Sequence, residues 1–122
     1  MYYMVVFMIA SRQPKLSGGL ELAVLLSVAL LGDDAYGIEV RRDILERSGR
    51  DYAIGAISTT LQRLEDKTFL KSHFSDPLPV RGGRSRRHFV LTGAGQRALR
   101  DAERDAATMW VGVEGILRPR TS

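Results

Sequence analysis

The chain has 122 residues, of which 44% are hydrophobic and none is cysteine. This length allows one modest core, and therefore one domain with an appendage rather than two independent domains. Without cysteine the chain has no disulfides, thiolate zinc sites or thiol nucleophiles, and a reducing, cytoplasmic setting is expected. The net charge of +4 comes from 18 Lys and Arg against 14 Asp and Glu.

The positive charge is concentrated in one segment. Residues 69–92 contain five basic residues (Lys71, Arg81, Arg84, Arg86 and Arg87) and one acidic residue (Asp76), a surplus of four that equals the net charge of the chain. Residues 35–68 contain six residues of each sign. A polyanion such as nucleic acid would therefore be attracted to one place.

The first ten residues, MYYMVVFMIA, are apolar. They lack the basic lead of a signal peptide and are half the length that a bilayer requires, so we predict no membrane span. We treat residues 1–15 as an extension and linker. It could pack on a partner subunit, bind weakly at a membrane surface, or form a poorly ordered tail.

Two helices are predicted next. GGLELAVLLSVALLG is apolar around nearly its whole circumference, which requires cover on several sides, and Gly32 ends it. AYGIEVRRDILERSG is amphipathic, with Gly37, Val40, Ile44 and Leu45 on one face, and Gly49 ends it.

A third helix is predicted over Ile54 to Lys67. Its apolar stripe consists of Ile54, Ile57, Leu61 and Leu64, which leaves Ser58, Thr59, Gln62, Arg63 and Asp66 facing outward. Small hydroxyl residues in the first turns, followed by Gln and Arg, suit a helix whose amino end approaches phosphates and base edges.

FLKSHFS and RRHFVLT alternate as two strands, and DPLPVRGGRS between them has turn composition. They predict a hairpin with a basic, glycine-containing tip. His73 and His88 are expected on the outward faces of the two strands, where they can form a cross-strand pair near bound phosphate. They lack the convergent ligands or carboxylates of a metal or acid-base site.

After a Thr92 cap, one helix is predicted from about Gly93 to Leu117. It has apolar residues at alternating spacings of three and four, which is the seam of a coiled coil. We predict that this seam pairs with a second subunit; its residues are Leu99, Ala102, Ala106, Met109, Val113 and Ile116.

The predicted fold is mainly α with a small β-hairpin: a winged helix-turn-helix over residues 16–92 and a long dimerisation helix and tail over residues 93–122. Three segments, AYGIEVRRDILE, GAISTTLQRLEDK and RGGRSRRHFVLTGAGQRAL, resemble the PadR family of bacterial transcriptional regulators. The resemblance implies a cytoplasmic homodimer that binds double-stranded operator DNA, usually as a repressor. The third helix would enter the major groove, and the wing would follow the backbone or minor groove.

The resemblance also assigns positions to the DNA interface. On the recognition helix they are Ser58, Thr59, Thr60 and Arg63, and at the start of the second helix Tyr36 and Gly37 match a phosphate contact. In the wing they are Arg81, Gly82, Gly83, Arg84 and Arg86, where the two glycines allow a tight turn close to the duplex.

Three positions depart from the family pattern. Ser58 stands where many relatives carry tyrosine, and Ala53 replaces a serine that would cap the third helix. Thr68 stands where a glycine commonly ends this helix, and a β-branched residue suits a left-handed cap poorly.

Rival functions are distinguishable. The chain has neither GxxxxGK nor GxGxxG, and we predict no enzyme, no cofactor and no metal site. Trp110, the single tryptophan, lies beside the seam where relatives often line an apolar cavity between subunits. For a lone tryptophan at helical spacing we favour plain packing, and a site for a small hydrophobic effector, which the resemblance implies, is the alternative. A winged helix used only for protein contacts is the alternative to DNA binding.

Overall fold

The computed structural model describes residues 15–75 and 86–119. The helices are α1 (Gly18–Leu31), α2 (Gly37–Ser48), α3 (Ile54–Asp66), α4 (Gly93–Trp110) and α5 (Val113–Leu117), with a 3₁₀ turn at Gly32–Asp34 and strands β1 (Leu70–Phe74) and β2 (Arg87–Leu91). This order confirms the predicted mainly α fold with a small hairpin. Residues 1–14 and the predicted hairpin tip lie outside the described residues.

The core is formed where α1, α2 and α3 meet the hairpin. Its largest fully buried side chains include Val24, Leu25, Val40, Ile57 and Leu61. The predicted stripes of α2 and α3 supply the last three of these. On α1, the outer face stays open within one subunit, as exposed apolar residues such as Leu30 show. No helix of the described ranges is long and apolar enough to cross a membrane.

One buried ion pair fastens the start of α1 to the end of α3. The Lys67 Nζ lies 2.7 Å from the Glu21 Oε1, and the same carboxylate oxygen accepts a hydrogen bond from the Ser17 backbone N–H at 3.0 Å. Glu21 is nearly inaccessible to solvent. The single acidic residue of an otherwise apolar helix is thus neutralised where it is buried.

The turn from α3 into β1 places Thr68 at φ 68°, the only positive φ outside glycine in the described residues. The Phe69 N–H donates to the Leu64 carbonyl and the Thr68 N–H to the Glu65 carbonyl, which closes the helix end. The predicted misfit is confirmed: a β-branched residue adopts the left-handed conformation that glycine normally supplies.

β1 and β2 pair antiparallel, with Leu70 opposite Leu91 and His73 opposite His88. A third, very short segment joins them, because Tyr36 forms a bridge with His88 and the Phe89 N–H donates to the Ala35 carbonyl at 3.0 Å. The prediction that His88 faces outward is wrong. His88 is 7% exposed because the segment around Tyr36, distant in sequence, covers it.

α4 begins at a tightly packed junction. The Thr92 hydroxyl accepts from the Gly95 N–H at 3.0 Å, which confirms the predicted cap, and donates to the Thr68 carbonyl at 2.6 Å. Gly95 is buried, and a Cβ added there would overlap the Phe69 carbonyl and lie 2.7 Å from the Leu91 Cδ1. The junction therefore requires glycine at this position.

The predicted single helix to Leu117 is interrupted. α4 ends at Trp110, Val111 leaves the helical region, and Gly112 adopts φ 83° before α5 begins. A glycine between two β-branched valines is a weak helix segment. Leu99, Ala102, Ala106 and Met109 therefore lie on α4, whereas Val113 and Ile116 lie on α5.

Candidate nucleic-acid interface

The amino ends of α2 and α3 lie side by side, next to the base of the hairpin. Gly37, the first residue of α2, faces α3, because a Cβ placed on it would lie at ordinary contact distance from Leu61 and Ile54. Tyr36 precedes α2 and is bridged to β2. The structure thus brings the two predicted phosphate-contact residues of α2 next to the predicted recognition helix.

The outward face of α3 carries most of the predicted recognition residues. Ser58, Thr59 and Arg63 are exposed. Thr60 is the exception and is corrected here: it is 4% exposed and its hydroxyl donates to the Ala56 carbonyl at 2.7 Å. A threonine can satisfy its hydroxyl within its own helix, so it can occupy a buried position.

No side chain caps the amino end of α3, because its N-cap residue is Ala53. The first N–H groups of a helix have no intrahelical acceptor, and the helix dipole makes this end favourable for an anion. Gly55, in the first turn, has open space where a Cβ would be. This helix end can therefore be approached closely by another molecule.

Aromatic groups stack at the base of the wing. The His73 and His88 ring centroids lie 4.7 Å apart, so the predicted cross-strand pair forms, although His88 is buried. Tyr36 meets His88 edge-on at 5.3 Å, and the Arg86 guanidinium carbon lies 5.4 Å from the Tyr36 ring centroid. Within residues 15–75 and 86–119, no three His, Asp or Glu side chains are arranged to hold a metal.

A second contact fixes the hairpin to α3. Arg87 forms an ion pair with Glu65. The Ser72 hydroxyl donates to the Glu65 carboxylate at 2.8 Å, and the Arg87 Nε donates to the Ser72 oxygen at 3.1 Å. Arg87 is thus paired within the subunit and only partly exposed, whereas its neighbour Arg86 is exposed.

Ion pairing divides the arginines of this region into two groups. On α2, the pairs are Arg41 with Asp51, Arg42 with Glu39 and Arg47 with Asp43. Arg63 and Arg86 have no acidic partner among the described residues. Among the described residues, Arg86 at the base of the hairpin and Arg63 in the last turn of α3 are therefore two exposed guanidinium groups without an acidic partner. Arg81, Gly82, Gly83 and Arg84, predicted for the wing, lie outside the described residues.

The surface between these elements is concave. An open depression of about 330 Å³ is lined by residues of the α2 start, α3 and β2, among them Tyr36, Ile38, Ile54, Ser58 and Arg86. Sequence reasoning assigned no DNA-facing role to the two isoleucines. Ile54 was predicted as part of the buried stripe, but it is 43% exposed, and Ile38 is 59% exposed.

Three of the six predicted dimerisation residues, Ala106, Met109 and Ile116, are exposed in the single subunit. Leu99 and Ala102 are partly buried against the domain, whereas Ala106 is exposed and Met109 is 78% exposed. Trp110 and Ile116 are exposed as well. A groove of about 580 Å³ runs beside α4, between it and the residues around Lys15 and Lys67.

A helix-turn-helix with an exposed recognition face, followed by a two-stranded wing, defines the class of winged helix-turn-helix proteins. The chain belongs to the transcriptional regulator PadR-like family, whose sequence profile matches residues 25–101, more than half of its length. Members of this family are regulators of transcription that bind DNA, rather than enzymes.

Solved structures agree. The chain is similar to a PadR family transcription regulator from hypervirulent Clostridium difficile (26% identity, 79% of this chain and 93% of that chain, TM-score 0.58). It is also similar to a Streptococcus transcriptional regulator (27% identity, 81% of this chain and 92% of that chain, TM-score 0.64). A PadR-like transcriptional regulator from Bacillus cereus shares the fold (17% identity, 83% of this chain and 93% of that chain, TM-score 0.66). No curated protein matches the chain.

Proposed function

We propose that this PadR-like regulator is a cytoplasmic, sequence-specific repressor that binds a palindromic operator as a homodimer and is released by a small hydrophobic ligand. Residues 16–92 would bind DNA, and residues 93–122 would join the subunits. The observation that carries the proposal is the exposed face of α3, with Ser58, Thr59 and Arg63, beside the exposed Arg86 at the base of the wing.

The division of labour follows from chemistry. Hydroxyl and guanidinium groups on the exposed face of a recognition helix can reach base edges and distinguish base pairs. Arg86, Tyr36, and the wing residues Arg81, Gly82, Gly83 and Arg84 would contact phosphates, which supplies affinity without sequence information. Arg87 is given no phosphate contact because Glu65 neutralises its charge.

Homodimerisation is supported by uncovered apolar surface. A subunit that exposes Met109, Trp110 and Ile116, together with the outer face of α1, leaves a large apolar area in water. Pairing of α4 and α5 with the same elements of a second subunit would bury it. The interruption at Gly112 means that the interface would consist of two short segments rather than one continuous coiled coil.

The proposed effector site follows from the same surface. Trp110 is half-exposed in one subunit and lies at the end of α4, where the two subunits would meet. A flat apolar molecule held there would contact both subunits and could change the angle between them. This would alter the spacing of the two recognition helices, which the operator fixes.

Selection of bound fragments from random double-stranded DNA tests the proposal. We expect an inverted repeat whose half-sites lie about one helical turn apart, or a multiple of it. Affinity for the selected DNA should fall steeply with salt, with a log-log slope of about −0.9 for each neutralised phosphate. Failure to bind any duplex at low salt would favour a protein-interaction module instead.

Subunit pairing is tested by light scattering with a matched pair of variants. Ala106→Arg puts a charge on the proposed seam, and Thr108→Arg puts the same charge on another face of α4. We expect the first variant to be monomeric and the second to remain dimeric. The same state for both variants would remove the seam from the proposal. Transcription from a promoter that contains the selected site, with and without the protein, tests repression.

A further inference from the structure

Two large apolar side chains are exposed where the proposed DNA interface begins. Ile54 is the first residue of α3 and Ile38 the second residue of α2, and they are 43% and 59% exposed. Both line the 330 Å³ depression, whose inner wall includes the apolar residues Leu61 and Phe89. A surface meant only to meet phosphates would not need apolar groups here.

The surroundings of this depression limit what it can hold. Ser58, one turn after Ile54, stands on its rim with Arg86, and Arg63 is exposed on the following turn of α3. Neither arginine has an acidic partner among the described residues. An apolar small molecule or apolar peptide would bring no negative charge to these two arginines, whereas the phosphates of a nucleic acid would neutralise them.

DNA presents one apolar group in the major groove, the C5-methyl group of thymine. It projects from the edge of the base pair, so a shallow, open depression can receive it. Gly55 follows Ile54 and has open space in place of a side chain, so the helix end can approach the base edge closely. The amino-terminal residues of a recognition helix are those that contact bases.

We propose that Ile54, supported by Ile38, is a specificity-determining residue that packs on a thymine methyl group in each operator half-site. The inference rests on the proposed DNA-binding function. Ser58 would donate a hydrogen bond to the adjacent base edge, and Arg86 would hold the flanking phosphate. The operator therefore contains, at one defined position of each half-site, a thymine that is read through its methyl group.

Substitution of deoxyuridine for thymidine isolates this contact, because uracil differs from thymine only by lacking the methyl group. The selected duplex is made with each thymine replaced in turn, and binding of the unmodified full chain is measured by fluorescence anisotropy. At one thymine of each half-site we expect affinity to fall about fourfold, since burying one methyl-sized group contributes ~0.8 kcal/mol. Other thymines should change little.

A double comparison assigns the effect to Ile54. The Ile54→Ala protein should bind the thymine and uracil duplexes with nearly equal affinity, so the fourfold difference disappears. Leu45→Ala is the matched control: it removes a similarly exposed apolar side chain from α2 (40%) that does not line the depression. Its methyl dependence should equal that of the unmodified protein. Ile54→Val, which keeps an apolar contact, should retain part of the difference and guards against misfolding of the alanine variant.

The outcomes separate this inference from the function on which it rests. Tight binding to selected DNA with no thymine sensitive to methyl removal would overturn the reading of thymine but leave DNA binding intact. A methyl effect that persists in both Ile54→Ala and Ile54→Val would show that another residue makes the contact. If no duplex binds, both proposals fail.

Discussion

Glu65, near the end of α3, and Arg87, the first residue of β2, form an ion pair that joins the recognition helix to the wing. The Ser72 hydroxyl bridges the two side chains. The pair spans 22 residues of sequence, so it fixes the base of the hairpin relative to the face of α3. In the proposed complex the face of α3 and the wing would contact one duplex, and this ion pair holds them in a fixed relation in the free subunit.

Loss of this pair should loosen the wing. Glu65→Gln is expected to lower the free energy of unfolding by about 1 kcal/mol, because the pair is only partly exposed and bridged by a hydroxyl. DNA affinity should fall with it. Glu46→Gln, at an exposed glutamate with no ion pair among the described residues, is the control and should change neither quantity. Urea unfolding provides the measurement; if Glu65→Gln is as stable as the control, the contact does not contribute.

Relief of backbone strain at Thr68 should stabilise the domain. Its φ of 68° places a β-branched residue in the left-handed region, so Thr68→Asn should raise the free energy of unfolding by about 1 kcal/mol. Thr68→Gly should gain less, because glycine adds freedom to the unfolded chain. Gly49→Ala is the opposite change, because it puts a side chain on a residue with φ 74° and open space for a Cβ. It should lower the free energy of unfolding by about 1 kcal/mol. If Thr68→Asn destabilises the protein, the backbone at Thr68 is not strained.

The junction of α4 with the domain should not tolerate a methyl group at Gly95. Gly95→Ala is expected to destabilise the protein by about 2 kcal/mol or more, because the added carbon would overlap the Phe69 carbonyl. Gly93→Ala, at the first position of the same helix, meets only Arg97 at ordinary contact distance and should be neutral or stabilising. Thermal unfolding compares the two; equal melting temperatures would show that the junction can relax.

Arg86 and Arg63 should affect DNA binding in different ways. Arg86→Ala should weaken binding to all sequences and reduce the magnitude of the salt slope by about 0.9 for each lost phosphate contact. The same result is expected for Arg84→Ala. Arg63→Ala and Thr59→Ala should change which sequence is preferred. Arg100→Ala on α4 serves as a charge control. Equal losses on every sequence from all of the interface variants would remove the assigned division of roles.

Trp110 should report an effector, because it is the only tryptophan of the chain and is exposed in one subunit. If it lines a cavity between subunits, its fluorescence will change saturably with planar hydrophobic compounds. The same compounds should lower affinity for the selected DNA. A broad panel without any saturable change would assign Trp110 to packing alone.

Elements with local causes could be predicted from the sequence. The ends of α1 and α2 at Gly32 and Gly49 follow from glycine in a positive-φ position, and the Thr92 cap follows from its place before an amphipathic segment. The buried residues Ile57, Leu61 and Leu64 follow from helical spacing. Each depends on neighbours within a few positions.

The differences arise where distant segments meet. His88 is buried because the segment around Tyr36 joins the edge of β2, which strand alternation alone cannot predict. Ile54 has the spacing of a core residue, but it is the first residue of α3 and is 43% exposed. Thr60 resembles the exposed hydroxyls beside it, and only its bond to the Ala56 carbonyl shows why the core accepts it. The interruption at Gly112 was missed because the apolar spacing continues through it.

The hydrogen bond from the Thr92 hydroxyl to the Thr68 carbonyl joins the turn that follows α3 directly to the start of α4. Because Gly95 packs closely against the Phe69 backbone, α4 has little room to shift relative to the domain. The direction of α4, a helix about 27 Å long, is therefore fixed at its first turn relative to the domain. A proposed effector that moved the end of α4 near Trp110 would therefore turn the helix and the proposed DNA-binding domain together. The core of the domain would not need to rearrange.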